Sequence, residues 1–263
     1  MKHLNDKIIF PSGISMKNRF MLAPMTNTQS HEDGTLSEEE FMWLTLRAKG
    51  QFGLVMTCAS HVQANGKGFP GQLGIFDDNH IGGHSRLAKA IKSYGSIAVV
   101  QLFHGGMRAD SSLIKGQPVS ASEVERKQTR ALSIEEIEIL KNDFIQAAVR
   151  AQKAGYDGVE IHGAHGYIIA QFLSQKINQR EDSYGGSLEN RSRILFEIVE
   201  GIREKCGNQF LLGVRLSPER FGMELSEMKM LCQQLIDLGK IDFLDISLCM
   251  AFNLRRAGLK MLT

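Results

Sequence analysis

Short, nearly continuous apolar runs alternate along this chain with stretches whose apolar residues recur at helical spacing. The apolar runs Phe20–Pro24, Gly53–Ala59, Ile97–Phe103, Gly158–Ile161, Phe210–Leu216 and Asp242–Ser247 read as six strands. An acidic helix start follows the first strand at Glu38–Glu40, with Ser37 placed to cap it. Further helices are expected at His84–Tyr94, Glu135–Ala154, Leu188–Lys205 and Ser226–Leu238. Ser133 caps the second of these, whose apolar face carries Ile137, Phe144, Ala148 and Ala151, and Gly155 ends it. A long polar stretch separates the third strand from Ser133.

Repeated βα units with nearly continuous apolar strands imply an α/β fold in which helices cover a parallel sheet. Both a (β/α)8 barrel of the TIM type and a doubly wound sheet fit that rhythm. The barrel is favoured because polar and small residues sit just past many strand ends, at Thr26, Ser60, Gln101–His104, His162–His165, Arg215 and Ser247. Side chains from several strands converge on that face of a barrel, whereas a doubly wound sheet gathers its ligand contacts at one switch point behind a glycine fingerprint. A length of 263 residues suits a barrel of about 250, yet only six of eight strands are found. Leu248–Thr263 is too short for two more βα units. The expectation is therefore one domain, residues 1–263, forming about three quarters of a barrel.

Composition narrows the function classes. Hydrophobic residues make up 43% and charged residues 23%, which excludes disorder and coiled coil. The net charge of +2 gives no electrostatic ground for nucleic acid or an acidic membrane as partner. Cys58, Cys206, Cys232 and Cys249 share no CxxC spacing and read as reduced core thiols. The first residues lack an apolar signal core, and no stretch approaches ~18 continuous apolar residues, so the expected compartment is the cytosol.

Three motifs are set aside. Gly66–Gly71 matches GxGxxG literally, but Pro70 interrupts it and Ser60–Asn65 separate it from the strand, so it reads as a loop. His104-Gly-Gly resembles an esterase oxyanion loop without the GxSxG nucleophile to match. His162 and His165 have a metal-like spacing, with His104 the one obvious recruit as third ligand; no metal is expected. The 12 methionines read as core filler, and His3, His31, His80 and His84 carry no pattern.

The chemistry concentrates in Glu160-Ile-His-Gly-Ala-His-Gly-Tyr167, where two imidazoles and a phenol follow a buried strand. A satisfied polar loop would explain one such histidine; three groups together suit work on a carbonyl-activated substrate. Imidazole donors stabilise a developing enolate oxygen, and a phenol with a pKa near ~10 can deliver a proton.

The segments Asn18–Thr26, Gly53–Ser60, Gln101–Gly106, Ala154–Tyr167, Gln171–Ser174, Asn178–Arg191 and Gly213–Leu216 resemble the Old Yellow Enzyme family of FMN-dependent ene-reductases, and especially its bacterial NAD(P)H:flavin oxidoreductase branch. The resemblance runs in order to about Ser247. It implies FMN as cofactor, NADH or NADPH as electron donor, and an enone or related small electrophile as substrate, with a homo-oligomer allowed. Ala23, Pro24, Met25 and Thr26 match the family segment along the flavin, Ala59 a backbone contact, Gln101 an amide at the ring's polar edge, and Arg215 a cation near its pyrimidine end. His162 and His165 match the pair that binds the substrate carbonyl, and Tyr167 the proton donor. The implied cycle is ping-pong, both substrates using one site above the flavin.

Departures from the family are also visible. The strands and loops that hold the FMN phosphate in such barrels are missing from the expected pattern. An open sheet edge with uncovered apolar faces would then favour aggregation or pairing with a complementary piece. The tail from Ala251 does not resemble the family continuation, and Thr28 stands where some relatives carry an aromatic. Two alternatives accompany the ene-reductase reading: a non-catalytic fragment that retains no FMN, and a related FMN barrel such as a dienoyl-CoA reductase. The latter would bring a cysteine cluster and a second nucleotide-binding domain, neither of which is seen.

Overall fold

The computed structural model describes residues 3–248. Its elements in chain order are β1 (Ile8–Ile9), β2 (Ser15–Met16), β3 (Met21–Leu22), α1 (Glu38–Lys49), β4 (Leu54–His61), α2 (Ile81–Lys92) and β5 (Ile97–Phe103). There follow β6 (Val119–Ser120), β7 (Arg130–Ala131), α3 (Ile134–Lys153), β8 (Gly158–Gly163), α4 (Ile168–Leu173), α5 (Leu188–Cys206), β9 (Leu211–Leu216), α6 (Leu225–Asp237) and β10 (Phe243–Ile246). Cys249 and the tail from Ala251 lie outside the described residues.

The main sheet runs β3-β4-β5-β8-β9-β10, every neighbouring pair parallel and in chain order. A doubly wound sheet reverses its strand order at a switch point. A monotonic order with a helix crossing after each strand is barrel topology, curled through six strands. Five of the expected strands match closely, and the first shrinks to Met21–Leu22.

Alternation along each strand separates two cores. Val55, Ala98, Val100, Val159, Leu212 and Val214 face outward into the helix layer, where they meet Leu44, Leu87, Phe144, Ile198 and Leu231. Leu54, Met56, Ile97, Val99 and Leu211 face inward and join Met16 and Phe243 at the strands' N-terminal end. The antiparallel β1–β2 hairpin supplies Ile8, Phe10, Ile14 and Met16 to that inner cluster, closing the bottom of the barrel. Its two-residue strands are too short for a hydrophobic pattern to announce. With the bottom filled by apolar side chains, polar inward-facing residues collect at the C-terminal end.

The helices begin where local chemistry places them. Ser37 Oγ accepts the Glu40 N–H, and Ser133 and Glu136 form a reciprocal capping box on α3. The second helix starts at Ile81 rather than His84. Gly82 and Gly83 are poor helix formers, but an Asp77-capped turn at Asp78–His80 leads into them, and Gly83 allows close approach of Leu36. The short helix Ile168–Leu173 was not expected: its six residues are all buried, so they carry no amphipathic period. The Gly66–Gly71 segment is loop after a single turn at Ala64–Gly66. Among the described residues no helix is long and apolar enough to cross a membrane.

Candidate active site

Period-2 alternation carries the polar residues to one place. On β5, Ile97 and Val99 point into the barrel, and the same face continues with Gln101 and Phe103. On β8 it presents Glu160 and His162, and on β9 Arg215, which stands in register between His162 and Asp245 of β10. Strand β4 needs a correction of phase. A bulge between Met56 and Ala59 shifts its register, so that Ala59 faces the barrel mouth while Cys58 turns toward Glu40 of α1.

A cavity of about 210 Å3 opens there, lined by Pro24, Met25, Thr26, Ala59, Gln101, Phe103, His162, His165, Tyr167 and Arg215. Nine of these ten positions are ones the sequence reading singled out, and Phe103 is the addition. Ala23 is exposed and lies outside the lining. Larger depressions exist elsewhere among the described residues, but none of them brings together the ends of β4, β5, β8 and β9.

The three groups of the His-His-Tyr segment meet here. Ring centroids are 4.9 Å apart for His162 and His165, 5.1 Å for His162 and Tyr167, and 6.4 Å for His165 and Tyr167. Tyr167 precedes α4 and is wedged edge-on against Phe103, with Phe69 on another side and the Arg108 guanidinium 4.7 Å above its ring. His165 adopts a left-handed backbone, φ 59°, which costs a non-glycine residue energy. Its N–H is held by Ser217 Oγ at 3.1 Å and its carbonyl accepts from Arg108 Nη1, so the strained conformation is fixed from both sides.

The ring tautomers follow from their partners. The Ala164 N–H donates to His162 Nδ1 over 3.2 Å, which places the His162 proton on Nε2. That Nε2–H donates to His165 Nδ1 over 3.2 Å, and His165 Nε2–H in turn reaches Ser247 Oγ over 2.6 Å. Both imidazoles are neutral at pH 7. Burial pushes His165 down to about 4, with the Arg215 and Arg108 charges adding to the effect. Burial, the neighbouring His165 and the same two arginines hold His162 well below the usual imidazole range.

The walls suit a flat ring with an apolar body and one polar edge. Pro24, Ala59 and Phe103 offer carbon surface, and Thr26 a hydroxyl. Gln101 and Arg215 stand together on the polar side, with Arg215 Nη1 donating to the Pro24 carbonyl over 3.2 Å. An amide able to donate and accept, beside a permanent cation, matches the pyrimidine edge of an isoalloxazine. The residues present therefore fit a flavin ring. Among the described residues no three His, Cys, Asp or Glu side chains gather as metal ligands.

Sequence reasoning gave no role to Phe69, Arg108, Glu160, Ser247 or Asp245. Glu160 lay inside the quoted motif and Ser247 among the strand-end polar residues, so a signal existed for both. Arg108 and Phe69 reach the site from loops whose course no periodicity encodes.

Residues 9–247 match the family described as NADH:flavin oxidoreductase / NADH oxidase. The chain is 41% identical to the probable NADH-dependent flavin oxidoreductase YqiG of Bacillus subtilis, across 98% of this chain and 72% of that protein. It is 37% identical to the NADH:fumarate oxidoreductase of Klebsiella pneumoniae across 92% of this chain, and spans only 28% of that longer relative. Its fold superposes on the Old Yellow Enzyme of Pichia sp. with a TM-score of 0.85 and 27% identity, over 92% of this chain and 70% of that one.

Proposed function

The chain belongs to the NADH:flavin oxidoreductase / NADH oxidase family and is an NAD(P)H-dependent flavin oxidoreductase of the Old Yellow Enzyme type; from that premise we propose that it reduces the C=C bond of α,β-unsaturated carbonyl compounds. The observation that carries the proposal is the convergence of His162, His165 and Tyr167 on the cavity that Thr26, Ala59, Gln101 and Arg215 also line.

Gln101 and Arg215 would hold the polar edge of FMN, Thr26 would offer its hydroxyl to the ring, and Pro24, Met25 and Ala59 would supply surface along its body. When bound, FMN supplies a carrier that accepts hydride from NADH or NADPH and passes it to an electron-poor carbon. The chain's side chains prepare the acceptor. His162 already presents a polarised Nε2–H, and a substrate carbonyl oxygen takes that proton donor in place of His165 Nδ1. Because both imidazoles are neutral, they act as hydrogen-bond donors rather than as acids. His165, turned from Ser247, adds the second donor, and the pair stabilises the charge that develops on the oxygen. Tyr167 then delivers the phenolic proton to the α-carbon. Phe103 and Phe69 pack around its ring and restrict its rotation, while Arg108 covers one face.

The decisive experiment reconstitutes the chain with FMN, reduces it anaerobically with NADH and NADPH in turn, and follows reoxidation by cyclohexenone. Flavin bleaching by a nicotinamide and recovery by the enone are expected. A chain that retains no FMN would favour the non-catalytic reading, and bleaching without enone-dependent recovery would remove the proposed substrate class.

A further inference from the structure

Beneath the cavity lies a cluster that the carbonyl chemistry does not use. Glu160 on β8 is fully buried, in register beside Gln101 of β5. Gln101 Nε2 donates to Glu160 Oε2 over 2.6 Å. The Glu160 carboxyl also meets the Asp245 carboxyl, and Asp245 Oδ2 stands 3.1 Å from Arg215 Nε. Two acidic side chains therefore share one guanidinium in a place with little access to water. Glu160 Oε1 accepts no hydrogen bond among the described residues, and Asp245 Oδ2 has its ion pair with Arg215 Nε but no well-aligned donor. Buried polar atoms without partners are costly. One proton placed between the two carboxyls satisfies both.

We propose that Glu160 is a positioning residue whose protonated carboxyl donates to Asp245, fixes the Gln101 carboxamide, and leaves the Arg215–Asp245 pair charge-balanced beneath the FMN ring. The inference rests on the reading of the cavity as a flavin site.

The charged groups that face Glu160 are Arg215 from β9 and Asp245 from β10; β5 contributes the neutral Gln101. Burial first, and then the Asp245 charge, push the Glu160 carboxyl up to about 8, against the smaller opposing pulls of Gln101 and Arg215. Asp245 is raised by burial but held down by Arg215 and by the hydrogen bond from Glu160, so the proton resides on Glu160. This has two consequences. One N–H of Gln101 is committed to Glu160, which orients the rest of the amide at the cavity wall. With Glu160 neutral, the charges of Arg215 and Asp245 cancel. Its ionisation adds a net negative charge below a ring that must take up electrons, and opposes that uptake.

Two measurements test this. Infrared spectra of the flavin-free chain at pH 7 should show a protonated-carboxyl C=O component that disappears on titration through pH 8 and is missing in Glu160→Gln. In FMN-loaded protein, the midpoint potential should fall more steeply above pH 8 than below it. Glu160→Gln, which stays neutral and keeps an acceptor for Gln101, should retain FMN and lose that steeper limb. Glu160→Ala should weaken FMN binding several-fold by fluorescence quenching. Absence of the infrared component from the wild-type chain, or persistence of the steep limb in Glu160→Gln, overturns the inference. The infrared component without FMN uptake supports the proton on Glu160 and overturns the flavin reading instead.

Discussion

His162 and His165 are joined by a single hydrogen bond, 3.2 Å from Nε2 to Nδ1, and each is anchored differently on its far side. His162 is buried and accepts the Ala164 backbone N–H, whereas His165 is half-buried and reaches Ser247. Removing His162 therefore strands two partners, one of them a backbone N–H inside the protein. Removing His165 leaves an imidazole N–H that a substrate carbonyl can still take. His162→Ala should cost about 1–3 kcal/mol of stability by urea unfolding, and His165→Ala less. The same order is expected for the loss of kcat/KM with a cyclic enone. Equal effects of the two changes would show that the chain of hydrogen bonds does not set their roles.

Tyr167 lies against both imidazoles but on the side facing Phe103, so its ring can be shortened by one oxygen without disturbing the aromatic packing. Tyr167→Phe should slow enone-dependent reoxidation of the flavin by roughly a hundred- to ten-thousand-fold, the usual worth of a positioned proton donor. Reduction by the nicotinamide should be unchanged, since it needs no proton from this residue. Stopped-flow measurement of the two half-reactions separates them, and equal slowing of both would deny Tyr167 the acid role.

Much of this site could be read from residue order, and the reasons for the exceptions are physical. Ile97–Phe103 is legible as a strand from its continuous apolar run. With no bulge in it, the inward aim of Gln101 follows once Ile97 and Val99 are placed inward. Its seven residues are all buried, so no pattern says which face that is. The same logic fails on β4, where simple alternation from Leu54 would have turned Ala59 away from the mouth. The bulge that restores its aim is a backbone event without a residue signature. The Ser37 and Ser133 caps were visible because capping is local chemistry. Arg108 was not, since its position over Tyr167 depends on a loop closing across the chain. Glu160 was read as part of a motif, but its carboxyl acquires meaning only when β10 brings Asp245 beside it.

Gly213 makes a separate claim about the barrel floor. A Cβ at that position would stand 2.2 Å from the Phe243 ring, which packs in the inner cluster near Phe10. The ring fills the space that the absent side chain leaves, and it cannot retreat without disturbing the hairpin. Gly213→Ala should destabilise the chain by about 1–3 kcal/mol, the range for overpacked interiors. Adding Phe243→Leu should recover part of that loss. An unchanged urea midpoint in Gly213→Ala would mean that β9 and β10 do not pack as closely as described.

The buried titratable groups predict a stability maximum at about pH 7. Burial holds His61, His84 and His165 down to about 4 and His104 to about 3, with His162 also well below its usual range. Unfolded, these imidazoles take up protons near pH 6.5. The unfolded chain therefore binds more protons between pH 6.5 and 4, and stability falls across that window as the solution is acidified. Glu160 acts in the opposite sense. Its folded value of about 8 lies above its unfolded one, so the folded chain holds the extra proton, and stability is lost as pH rises from about 4.5 to 8. Below about pH 7 the five histidines outweigh one glutamic acid, because the unfolded imidazoles are still partly protonated there, and from about pH 7 to 8 the glutamic acid outweighs them. Urea midpoints taken from pH 4.5 to 8 should trace that dome. Glu160→Gln should flatten the alkaline limb and make the acid limb slightly steeper, whereas His84→Gln should reduce the acid limb. A profile that keeps rising to pH 8 would place the Glu160 proton in solution rather than in the barrel.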